Sequence, residues 1–207
     1  MVGSGNYVVA LSADHGVAPI PERARQFGLD AGRLDGAVIL NAVETALASA
    51  FGKGSYVSQL VDSEIYLQPG VYARLRSNPV ALQSVGEALR ALDGIDAVYT
   101  RDDLESGREQ DDPVARRLAA SHFPGRSGDM VFVSRPYWIV EADGTSHGTG
   151  YGYDTHVPLL LMGTGIAHGE YFGRASPLDI APTLAFLARV TLPYSQGRVL
   201  SEAFSTR

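Results

Sequence analysis

"VVALSADHGVAP", Val8 to Pro19, begins as a buried strand and stops on an aspartate, a histidine and a glycine. Inside a regular strand successive side chains point to opposite faces, so Asp14 and His15 could not share one ligand there. At the end of a strand that constraint lifts. Gly16 permits the tight turn that brings both side chains to one side, and the carboxyl end of a strand in an α/β sheet is where ligands usually bind. Asp14 and His15 are therefore candidate metal ligands. The alternative reading has Asp14 capping a turn and His15 as a hydrogen-bonded polar residue.

Working outward, the stretch from Ala18 to Gly36 is rich in Pro, Arg and Gly and reads as a surface excursion. Ala37 to Phe51 has apolar residues at helical spacing, with Gly52 as a stop signal. Asn78 to Leu92 is a second helix, with Asn78 as cap and Pro79 at its first position. Strands are expected at Ser63 to Pro69 and Ile95 to Thr100, and a further helix at Asp112 to Phe123. Together these predict a compact α/β insertion over about residues 20–125. The main sheet is expected to resume with Asp129 to Val140 and with the apolar run Val157 to Gly163, which predicts a strand covered on both faces. Ser176 to Ala188 closes the pattern as a helix with Leu184, Phe186 and Leu187 inside. The fold class is α/β, a mainly parallel sheet with helices on both faces.

A 207-residue chain with 45% hydrophobic and 19% charged residues is ordinary for a folded protein with a sizeable core. A net charge of −6 with scattered Lys and Arg argues against a nucleic-acid partner. Cysteine is absent, so thiolate sites and thiol nucleophiles are excluded and any transition metal falls to His and carboxylates. No apolar run approaches the roughly 20 residues that span a bilayer. "MVGSGNYVVAL" has neither a basic leader nor a cleavage site, and its first strand opens so early that upstream elements of the fold are expected to be missing.

The second chemistry-bearing stretch is "SHGTGYGYDTHVPLLLMG", residues 146–163. Gly148 and Gly150 let the backbone beside His147 approach a ligand closely, whereas His156 sits at a strand entry stiffened by Pro158. Neutral imidazoles and carboxylates suit zinc. Taken alone, the loop fits equally a pair of histidines bonded to loop backbone.

Together, "VVALSADHGV", "SHGTGYGYDTHVPLLLMGTGI" and "SPLDIAPTLAFL" resemble the C-terminal half of the alkaline phosphatase superfamily, and among its members the phosphatases and phosphodiesterases related to nucleotide pyrophosphatases. The resemblance implies two zinc ions at the carboxyl edge of a sheet. It implies that Asp14 and His15 serve one ion and His147 the other, with His156 the rival for that role. Asp154 and His156 would then orient ligands through hydrogen bonds. It also implies a phosphate-ester substrate and a periplasmic or extracellular location.

The family's nucleophile, its first metal-binding aspartate and its D-x-x-x-H ligands have no counterpart in this sequence. Ser12 and Ser146 are read as hydrogen-bonding residues, so the nucleophile is unassigned and the isolated chain is expected to be inactive. Two other readings stay open: a non-catalytic metal- or ligand-binding module with the superfamily fold, and a sulfatase or phosphoglycerate-mutase relative. Self-association through an exposed sheet edge is a further expectation.

Overall fold

The computed structural model describes residue 3, residues 5–107 and residues 111–205. In chain order the elements are β1 (Val8–Ser12), α1 (Pro21–Gln26), β2 (Gly32–Arg33), α2 (Gly36–Phe51), β3 (Val57–Val61), β4 (Glu64–Leu67) and α3 (Val71–Arg76). They continue with α4 (Pro79–Arg90), β5 (Ile95–Thr100), α5 (Arg101–Ser106), α6 (Pro113–Ser121), β6 (Met130–Ser134), β7 (Trp138–Ile139), α7 (Gly152–Thr155), β8 (Leu159–Gly163) and α8 (Ile180–Ala188). They form two compact units: Val17–Thr155, and the two chain ends Met1–Gly16 with His156–Arg207. Among the described residues no helix is long and apolar enough to cross a membrane.

The unit Val17–Thr155 is built on a four-stranded antiparallel sheet in the order β3-β4-β6-β5. α2 and α4 pack on each other, and both bury one stripe: Ile39, Val43 and Leu47 from α2, Ala81, Val85 and Leu89 from α4. With Ile65, Leu75, Met130 and Phe132 these residues form the core. Both helices are capped at their starts, α4 by the expected Asn78 and α2 by Asp35. The carboxylate of Asp35 accepts from the Ala37 N–H at 2.8 Å, and Asn78 accepts from the Ala81 N–H at 3.1 Å. α2 stops at Gly52, whose φ of 90° belongs to the left-handed region.

β6, assigned from the sequence to the sheet beyond the insertion, lies instead at the centre of this sheet, between β4 and β5. All five of its residues are buried, as befits a strand with a neighbour on each side. The strand-like pattern that continues to Val140 is broken at Tyr137, where φ is +66°, and the chain resumes as β7, parallel to β2.

In the other unit β1 and β8 pair antiparallel, with Val8 opposite Gly163 and Ser12 opposite Leu159. Continuous apolar runs carry no information on strand direction: the ladders in the described residues are antiparallel except for β2 with β7. Nor is the run Val157 to Gly163 covered on both faces as expected: β8, like β1, alternates part-buried and exposed residues. Val9, Leu11, Leu160 and Met162 lie on one face and are 44–60% exposed. In α8 the buried positions are Thr183 and Ala185, while Phe186 is exposed and stacks on Phe204. Asp179 holds the entry to α8, accepting the N–H of Ser176 at 2.9 Å and of Arg198 at 2.8 Å.

Candidate functional site

Asp14 and His15 stand two and three residues beyond the end of β1, where the ladder no longer forces neighbours apart. The backbone N–H of His15 donates to Asp14 Oδ1 at 3.1 Å, turning the carboxylate toward the ring. On the ring itself Nδ1 lies 2.7 Å from the carbonyl oxygen of Gly16. A carbonyl only accepts, so in this contact Nδ1 carries the proton, which in the neutral imidazole leaves the lone pair on Nε2. That nitrogen lies 3.5 Å from Asp14 Oδ2.

A carboxylate oxygen and an imidazole nitrogen at this separation can share a cation, either a proton or a metal. Two donors sharing a tetrahedral zinc at about 2.0–2.1 Å stand about 3.3–3.4 Å apart, close to the separation found. The pair therefore fits two positions of a zinc shell, with Nδ1 anchored on a backbone carbonyl as metal-bound histidines commonly are. Among the described residues no group of three or more His, Asp or Glu side chains is gathered in a way that could hold a metal ion.

His147 lies in the other unit, on an exposed loop between Ser146 and Gly148. Backbone contacts fix the loop on both sides of it. The Ala18 N–H donates to the Ser146 carbonyl at 2.9 Å, the Val17 N–H to the Tyr153 carbonyl at 3.0 Å, and the Thr145 hydroxyl to the Ala18 carbonyl. Beyond His147 the clasp is Asp154, only 4% exposed. Its Oδ2 accepts from the Thr149 N–H at 2.8 Å and from the Thr149 hydroxyl at 2.7 Å. Gly148, at φ +103°, takes the left-handed turn that lets Thr149 double back.

Three tyrosines support this loop. Tyr151 donates its hydroxyl to the Ser134 carbonyl at 2.9 Å, and the Tyr153 hydroxyl accepts from the Tyr137 N–H at 3.2 Å. The Tyr153 ring sits 5.2 Å from that of Tyr137 and 5.7 Å from that of Tyr151. Burial pushes the Tyr151 phenol up to about 12. These residues were not singled out from the sequence, although three aromatics in and beside a glycine-rich loop are the signal that would have found them.

His156 is exposed and precedes β8 by three residues. The hydroxyls of Ser12 and Ser146 make local contacts in the bonds described, Ser12 to the Ala13 carbonyl at 3.3 Å and Ser146 to the His147 carbonyl at 3.4 Å.

No protein-family model matches the chain. Among characterised proteins it is 29% identical over 209 residues to a calcium-transporting ATPase of Myroides odoratus, covering 98% of this chain and 38% of that one. It is 30% identical over 212 residues to alkaline phosphatase PhoK of a Sphingomonas species, covering 94% and 38%. Among solved structures it is similar to alkaline phosphatase PafA, with a TM-score of 0.84 at 26% identity over 98% of this chain and 39% of that one. The likeness to human ectonucleotide pyrophosphatase/phosphodiesterase 5, with a TM-score of 0.61 at 14% identity over 98% and 46%, is one of fold alone. The chain spans less than two fifths of the length of these curated relatives.

Proposed function

The chain is a partial member of the alkaline phosphatase superfamily, and on that premise we propose that it supplies part of the metal-holding apparatus of a zinc-dependent phosphoric ester hydrolase. The observation that carries this reading is the Asp14–His15 pair: carboxylate and imidazole nitrogen 3.5 Å apart at a strand end, with the other ring nitrogen on the Gly16 carbonyl.

In this reading Asp14 and His15 serve one zinc and His147 the other, with Asp154 orienting the His147 loop and His156 lending hydrogen bonds. Bound zinc supplies Lewis acidity toward a phosphoryl oxygen. The chain's own residues do the holding. Asp14 contributes negative charge, the Gly16 carbonyl fixes which nitrogen of His15 is the donor, and the Asp154–Thr149 clasp limits the positions His147 can take. One carboxylate and two histidines cannot fill two four-ligand shells, so we propose weak zinc binding and no phosphate-ester turnover by these 207 residues alone.

The test is hydrolysis of a chromogenic phosphate monoester and diester by the zinc-saturated chain, beside His15→Ala, with zinc content measured in parallel. Bound zinc without turnover, lost in the variant, supports the reading. Turnover that survives in the variant would place the chemistry elsewhere, and an absence of zinc binding would remove the metal reading altogether.

A further inference from the structure

We propose that the unit Val17–Thr155 carries a binding site for a small organic cation, an ammonium head on an apolar stem, in the cavity beside the Asp154 clasp. The cavity holds about 330 Å³ and is walled by Leu118, Phe132 and Trp138, with Glu141 and Asp154 among its polar lining. Among the described residues the buried side-chain atoms without a hydrogen-bond partner are Glu141 Oε2 and Asp154 Oδ1, and both residues line this one cavity.

Buried polar atoms are almost always bonded, and leaving a carboxylate oxygen without a donor costs more than leaving a neutral group so. Two such oxygens on one cavity mark it as a place that wants donors and positive charge. The lining also holds donors in His147 and in the hydroxyls of Ser63, Ser121, Ser134 and Thr149, but none of them bonds either of these two oxygens. Asp62 and Glu64 add further negative charge to the lining, and among the described residues lining it there is no Lys or Arg. Arg33, whose guanidinium feels the Glu141 charge, gives its N–H groups to the Glu22 carboxylate and to the carbonyls of Glu141 and Gly144.

A bare metal ion is the poorer occupant, because among the described residues no three donor side chains converge and most of the wall is apolar. A cavity of a few hundred Å³ with apolar walls and a few polar groups is the usual form of a small-molecule site. The indole of Trp138 suits a cation further, since aromatic faces attract ammonium groups. The site does not depend on the phosphohydrolase reading and stands if that reading fails.

The experiment is a titration of the full 207-residue chain, with chelator present to exclude metal at His147, followed by amide NMR shifts. The probes are n-butylammonium, its neutral counterpart n-butanol and the anion butyrate. The expected result is saturable shifts around Glu141 and Thr149 with n-butylammonium and binding at least about tenfold weaker for the other two, the size of one charge-assisted hydrogen bond. Glu141→Gln, with the fold checked by circular dichroism, loses about tenfold in affinity for the cation, and Leu118→Trp, which enlarges a wall residue of the cavity and leaves the carboxylates in the chain, abolishes binding. Equal affinity for n-butanol, an unchanged Glu141→Gln, or no saturable shift in the parent protein would each overturn the proposal.

Discussion

A single carboxylate oxygen of Asp154 accepts both the backbone N–H and the hydroxyl of Thr149, at 2.8 and 2.7 Å, and so closes the loop that carries His147. Because Asp154 is buried, the two bonds are made where water does not compete for them. Thr149→Val keeps the shape and loses the hydroxyl, and is expected to cost about 1 kcal/mol. Asp154→Asn can keep a carbonyl oxygen on Thr149 but loses the charge that strengthens both bonds, and is expected to cost about 1–3 kcal/mol. Urea denaturation of both variants checks the order. Equal stabilities would mean that the clasp contributes nothing to the fold.

Zinc binding should separate the histidines. His15→Ala removes a nitrogen whose partner across 3.5 Å is a carboxylate oxygen, and is expected to abolish stoichiometric zinc binding in calorimetry. His156→Ala, assigned only hydrogen-bonding work, is expected to change zinc affinity by less than about threefold. The reverse ranking would exchange their roles.

Gly163 sits opposite Val8 in the ladder at φ +121°, and a Cβ there would run into the carbonyl of Tyr7. Alanine meets both a backbone region that side chains avoid and a collision with main chain. Gly163→Ala is expected to cost at least about 2 kcal/mol and to remove amide-exchange protection from Val8–Ser12. Protection that survives would show that the ladder tolerates the shift.

Acid should expose the pair that anchors the loop after β7. Glu22 takes two bonds of 2.8 Å from Arg33, and chiefly that hydrogen bonding holds its carboxyl down at about 2 from the ordinary 4.5. A carboxyl depressed by folding stabilises fully above its unfolded value and loses that contribution as pH falls toward its folded one. The midpoint difference between the parent chain and Glu22→Gln is therefore expected to be constant above about pH 5, to shrink below 4.5 and to vanish near pH 2. It should be smaller in high salt, since the pair is exposed. A difference that persists at pH 2 would show that packing, not charge, is responsible.

Local chemistry is what made parts of the fold readable beforehand. α4 carries start signals in Asn78 and Pro79 and α2 a stop signal in Gly52, and these act over one turn of chain, whereas the Asp35 cap of α2 came to light only in the structure. Asp14 and His15 were readable for a similar reason, since a glycine directly after them announces the end of a strand. The Asp154–Thr149 clasp was only half readable: the residues were present in the motif, but which oxygen accepts from which donor is settled by the fold of the loop.

Taken by itself, the sequence determined the α/β class, the two principal helices and the absence of any thiol chemistry. Those follow from short-range rules in which a residue's type and its near neighbours suffice. Only the tertiary structure decided that β6 sits between β4 and β5, that β1 and β8 run antiparallel with Val9, Leu11, Leu160 and Met162 on an exposed face, and that Glu141 and Asp154 each leave an oxygen unbonded on one cavity. Strand partners and buried acceptors are paired across long stretches of chain, and an apolar run or a lone carboxylate records that it will be buried without recording against what.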